Sequence, residues 1–183
     1  MPQVVLPEVL FNELRQSGKA QSYLLEHHIF LNELLDLDEE FKTDISIENC
    51  TFRNDFVAHM GIYHGAIAFR NCRFEGNFVF HATTCLGLVL IENGCFLKST
   101  DMDCGTFYGS LMIKNTVFEG FVNFQDQDLK GATIILNNQF NGGTNLLHPK
   151  GGPNGALFAQ TPQIEGNTGL DKFEKGQSQG DSM

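Results

Sequence analysis

Apolar and polar positions alternate in short bursts along most of this chain, and the bursts return at a fixed spacing. Phe52, Phe74, Phe96, Phe118 and Phe140 are each 22 residues apart, and Asn49, Asn71, Asn93, Asn115 and Asn137 stand three positions before them. Five positions before each phenylalanine is an apolar residue (Ile47, Phe69, Ile91, Ile113, Ile135), and seven before are Ile45, Ile67, Val89, Leu111 and Thr133. Six after come Ala58, Phe80, Met102, Phe124 and Leu146; eleven after come Tyr63, Cys85, Phe107 and Leu129. Pairs such as Ile45 and Ile47, or Phe78 and Phe80, keep the two-residue period of a strand with one buried face. Between the bursts lie Asn, Gly, Asp and Ser, which tolerate the backbone of a tight corner, with Gly65, Gly87, Gly109 and Gly131 recurring in one column. A period of this length with short strands predicts an all-β solenoid: a parallel β-helix of about five to six coils, equivalent side chains stacked in files. Parallel crossovers are right-handed as a rule, so a right-handed coil is expected.

The flanks read differently. Over Leu6–Gly18, Pro7 suits a first helical turn, Val9, Leu10 and Leu14 share a face, and Gly18 is a stop, so residues 1–21 are expected to carry an N-terminal capping helix. Tyr23, Leu25, Phe30, Leu34 and Phe41 fall in the repeat columns one period upstream, which makes Ser22–Thr43 an opening coil without its Asn. A helix through Leu24–Leu35 is the competing reading. The solenoid is expected over 22–146. Residues 147–183, rich in Gly and Pro and polar at the end, read as a largely disordered, flexible tail. Its scattered Leu157, Phe158, Ile164, Leu170 and Phe173 would lie back over the solenoid or serve a partner.

Outward columns carry their own pattern. Glu48, Arg70, Glu92 and Lys114 alternate in sign, as stacked neighbours should if they are to attract rather than repel. The Asn column is expected to form an amide ladder or to hold a corner of positive φ. Six positions before each Phe stand Ser46, Ala68, Leu90, Met112 and Ile134, and Leu136 ends the charge column beside them. Leu90, Met112, Ile134 and Leu136 thus form an apolar outward patch, an expected interface covered by the tail, a second copy or another protein.

The runs Ile-Glu-Asn-Cys-Thr-Phe (47–52), Phe-Arg-Asn-Cys-Arg-Phe (69–74) and Ile-Lys-Asn-Thr-Val-Phe (113–118) resemble the pentapeptide-repeat and related β-helical proteins. The resemblance covers about 23–146 and departs in its coil of 22 residues where the strict family uses 20. It implies a mostly non-catalytic protein, and in some members a rod that imitates nucleic acid before a DNA-handling enzyme. No functional residue is carried over, because the shared motif is core.

Composition narrows the chemistry. The chain of 183 residues is one domain's length, and its formal charge of −10 argues against direct binding of nucleic acid. No run has the length of a membrane span or the form of a signal peptide, so the expected place is the cytoplasm. Five cysteines without metal spacing read as free thiols, although Cys50 and Cys72 share a column; Cys85, Cys95 and Cys104 read as small core residues. His59, His81 and Asp103, with Gln125 next, form one outward column able to hold a zinc-like ion. Asp101 with Asp103, or Asp126 with Asp128, could serve as paired carboxylates for glycoside hydrolysis, each pair on one side of a strand. The expectation is a non-enzymatic scaffold or protein-binding module, without cofactor, meeting a protein partner or itself. A nucleic-acid mimic and a carbohydrate-active or metal-dependent enzyme are the alternatives.

Overall fold

In the computed structural model, residues 3–5, 22–26, 28–30, 35–36, 40–147 and 155–170 are described. Their strands assemble into four parallel sheets of seven, seven, five and six strands. Each coil contributes one strand to each sheet, so the rod has four faces. The first face carries the longest strands: Asp44–Glu48, Ile67–Arg70, Val89–Glu92, Leu111–Lys114 and Thr133–Leu136. Two-residue strands such as Arg73–Phe74, Phe78–Val79 and Thr84–Cys85 make the second, third and fourth faces. The register is the expected one: Ile67 pairs with Ile45 and Val89, and Phe74 with Phe52 and Phe96. A parallel β-solenoid with a repeat of 22 residues is therefore what the alternation encodes.

The underlying unit is half that length. Non-glycine residues with positive φ occur at Asn49, Met60, Asn71, Ala82, Asn93, Cys104, Asn115, Asp126 and Asn137, eleven residues apart, all at φ 50 to 56°. Each coil is thus two similar half-turns, each a strand, a left-handed corner, a second strand and a wider turn. Four side chains per half-turn point inward: those four and two before the corner, and those one and three after it. Ile45, Ile47, Cys50 and Phe52 do so in one half; Phe56, Ala58, Gly61 and Tyr63 do so in the next, all buried. Only the position three after the corner takes a ring in nearly every half-turn. At the wide turn between the fourth and first faces the coils touch backbone to backbone. A Cβ on Gly109 would stand 1.9 Å from the Gly87 carbonyl oxygen, so that column admits no side chain.

Inside, the strand spacing forces rings on the same column to stack. Phe52 and Phe74 lie 4.8 Å apart at 3°, Phe74 and Phe96 4.5 Å at 14°, Phe118 and Phe140 5.1 Å at 5°. Phe56 and Phe78 stack on the neighbouring face at 5.1 Å, and edge contacts such as Phe74 on Phe78 at 5.0 Å join the columns. Burial of these apolar rings is the main drive for a coil that cannot hide its own face alone. Outside, the Glu48–Arg70–Glu92–Lys114 file is in register, with Arg70 3.0 Å from Glu48 and 4.0 Å from Glu92. Both readings of the Asn column hold together: the corners are left-handed, and the amides of Asn71 and Asn93 each donate to the Asn one coil before at 3.1 Å.

The ends depart from expectation in several places. The helix expected over Leu6–Gly18 lies outside the described residues, which include no helix; before it, Gln3–Val5 is a strand paired with His28–Phe30. The opening coil is present: Ser22–Glu26 pairs with Asp44–Glu48, which replaces the competing helix through Leu24–Leu35. Its third face is shifted by one residue, since Leu35, not Leu34, pairs with Phe56, while Phe41 returns to register with Tyr63. At the other end, residues 155–170, expected to be tail, add strands to the rod. Leu157 pairs with Asp128 and Ile164 with Ile135, an offset of 29. The seven residues beyond 22 equal the length of the 148–154 segment, an insertion that hides the repeat. Gly166 takes the Asn corner at φ 67°, and Ala156, Phe158, Ile164 and Leu170 pack on the last core layer. These apolar residues close the end of the solenoid and do not lie over its side; Phe173 lies outside the described residues.

Candidate functional site

With the interior filled, chemistry is confined to the outer surface, and two regions stand out. The first is built on the third face and the corner that follows. Outward side chains there come from the residues flanking the inward Ala58–Phe80–Met102–Phe124 file. In one column the rings of His59 and His81 stack, centroids 5.0 Å apart at 6°. The next residue down, Asp103, accepts a hydrogen bond on its carboxylate from His81 Nδ1 or pairs with its imidazolium. Asn123 on the following coil donates to Asp101 at 3.0 Å and to Asp103 at 3.3 Å. Burial, and then the charge of Asp103, hold the Asp101 carboxyl above its ordinary value.

Cys104 joins this group from the corner itself. It is exposed at φ 54°, and its thiol is pushed up in pKa, first by burial and then by the charges of Asp103, Asp126 and Asp101. One ligand-type atom each from His81, Asp103 and Cys104 fall within 4.8 Å of one another. Of the three residues proposed from sequence, the structure brings His81 and Asp103 together, sets His59 on the far side of His81, and adds Cys104. Reading Cys95 and Cys104 as core is thereby corrected: Cys104 occupies a corner column and is exposed, Cys95 lies half-buried in the outward column of Arg73, and of the three Cys85 alone is buried. The eleven-residue spacing from Asn93 to Cys104 was the available signal.

The remaining candidates separate. None of the five cysteines is joined in a disulfide. Cys50 and Cys72 are buried on one column, their thiols donating to backbone carbonyls of Glu48 and Ile47 at 3.2 and 3.3 Å. The hydrogen bond to Cys50, with burial, raises the Cys72 pKa, which disfavours its thiolate. Asp126 and Asp128 do not share one side of a strand, because Asp126 is a corner residue at φ 52° and Asp128 is tied to Lys130 at 2.6 Å.

The second region is apolar. Met112, Ile134 and Leu136 are half-buried on the first face, and Leu90 keeps only 7% of its surface exposed. More exposed groups stand on the fourth face, Ile62 at 41%, Leu86 at 43%, Tyr108 at 57% and Leu157 at 61%, and others are scattered at Leu24, Met60 and Leu147. Leu86 and Tyr108 occupy one outward column, and Leu88 leads across the turn to Leu90 and Met112. Sequence reasoning missed Leu86 and Tyr108, although each lies 22 residues along the same column. Comparison with protein families, curated proteins and solved structures returns no match.

Proposed function

We propose that the chain is a non-enzymatic right-handed β-helical rod of the pentapeptide-repeat kind, a cytoplasmic module that binds another protein or a second copy of itself. The observation that carries this reading is the apolar edge where the fourth face turns into the first, with Leu86 and Tyr108 exposed and the half-buried Leu88, Met112 and Ile134 continuing it, while Leu90, expected in the patch, is buried. Apolar surface gathered on a rigid face is characteristic of a protein contact. The stacked aromatic core supports the same reading, since it leaves the rod rigid and its interior full. A nucleic-acid mimic needs stripes of one sign, and the Glu48–Arg70–Glu92–Lys114 file alternates instead.

Replacing Leu86 and Tyr108 together by Glu tests the reading. Wild-type chain should self-associate in sedimentation velocity or retain a defined protein from its host's extract, and the double variant should do neither while keeping the same circular dichroism. Equal behaviour of the two proteins in both measurements would refute it.

A further inference from the structure

We propose that His81, Asp103 and Cys104 form a binding site for a borderline-soft divalent transition-metal ion, with zinc as the type. Imidazole, carboxylate and thiolate are the three side chains that zinc takes, and here they converge from two successive coils with ligand atoms within 4.8 Å of one another. A tetrahedral zinc with ordinary bond lengths holds its ligands roughly 3.3–3.8 Å apart. Small rotations about the side-chain bonds bring the three atoms to that separation, because none is locked in the core: His81 and Asp103 are partly exposed and Cys104 is exposed. Water, or the neighbouring Asp101 carboxylate, completes the shell.

Charge argues in the same direction. Asp101, Asp103 and Asp126 crowd one thiol, and among the described residues the one ion pair made by these three carboxylates is that of Asp103 with His81. Among the described residues no Lys or Arg pairs with them, in contrast to the first face, where Arg70 is shared between two glutamates. A doubly charged ion placed here takes the Cys104 thiolate, whose proton leaves to solvent, and His81 Nδ1, whose proton moves to Nε2, so the ion adds one net positive charge among the three carboxylates. Cys104 stands on a left-handed corner at φ 54° and is exposed, so its thiol is open to solvent beside His81 and Asp103.

Cobalt(II) titration of the full chain, after chelation and reduction, tests the site, because thiolate-to-cobalt charge transfer reports sulfur ligation directly. One equivalent should bind with a charge-transfer band, and zinc should displace it. Cys104→Gly should abolish the band; this variant suits the backbone at φ 54°, so loss of signal cannot be laid to misfolding. His81→Gln and Asp103→Asn should each weaken binding more than about 10-fold. Cys95→Ser and His64→Gln, outside the cluster, should change nothing. Absence of saturable binding, or a band that survives Cys104→Gly, would overturn the proposal. The apolar edge is untouched by these variants, so failure here is separate from failure of the protein-binding reading.

Discussion

The two halves of each coil share one backbone and have very different sequences. In the half that holds the first and second faces, the corner is Asn in five successive coils, from Asn49 to Asn137, and the residue three beyond it is Phe in each. In the half that holds the third and fourth faces, the same left-handed corner is Met60, Ala82, Cys104 and Asp126, and the same inward position is Tyr63, Cys85, Phe107 and Leu129. A corner of this kind costs an ordinary L-residue about 1–2 kcal/mol, less for Asn or Asp. The Asn half therefore supplies low-strain corners and the continuous ring stack. Variation is tolerated in the other half because the first sets the register, and the His81–Asp103–Cys104 cluster and the most exposed part of the apolar edge, Leu86 and Tyr108, come from that freer half.

The largest test of this division is to remove a ring from each half. Phe74→Ala should lower stability by about 3–5 kcal/mol, since it breaks two stacks and opens a cavity, while its half-turn equivalent Cys85→Ala should cost about 1 kcal/mol. Urea denaturation of both variants reads the difference, and equal losses would show that the halves share the load. Next comes the corner. Asn93→Ala should cost about 1–2 kcal/mol by straining the backbone and cutting the amide ladder. The reverse exchange, Ala82→Asn at φ 53°, should raise the melting temperature, equivalent to about 0.5–1 kcal/mol. A drop in melting temperature for Ala82→Asn would mean that the two corners are not interchangeable. The smallest effect is Arg70→Glu, which puts three acidic side chains in a row on the first face; about 0.5–1 kcal/mol should be lost at low salt and much of it recovered in high salt.

The first half was legible from sequence because one residue type repeats in each of its decisive columns. Pairing register, the inward files and the alternating charges all follow from that. In the second half the inward columns from Ala58 to Phe124 and from Tyr63 to Leu129 were legible too, but its likeness to the first half was not, because volume is traded between its neighbouring columns. Where Ala58 is small, Tyr63 is large; one coil on, Phe80 is large and Cys85 small, and the Tyr63 and Phe80 rings lie 5.4 Å apart. Each column looks irregular although the layer is full, so the eleven-residue unit escapes a column-by-column reading. The same blindness cost Cys104: without the half-turn, nothing marks it as a corner. The terminal coil was lost for a plainer reason. Seven inserted residues shift Leu157 and Ile164 out of phase, and a Gly replaces the Asn that would have announced it.

Because two unlike half-turns make one revolution, chain length in this molecule acts as an angle. Excising 22 residues from the middle would shorten the rod by one storey and leave every surface facing as before. Excising 11 would spin everything downstream through half a revolution, joining the asparagine flank to the cysteine flank and breaking both ladders where they meet. Within the strands and tight corners, lengthening or shortening that preserves the outer surfaces must therefore come in whole revolutions; an extra length such as the seven residues before Leu157 is accommodated between strands.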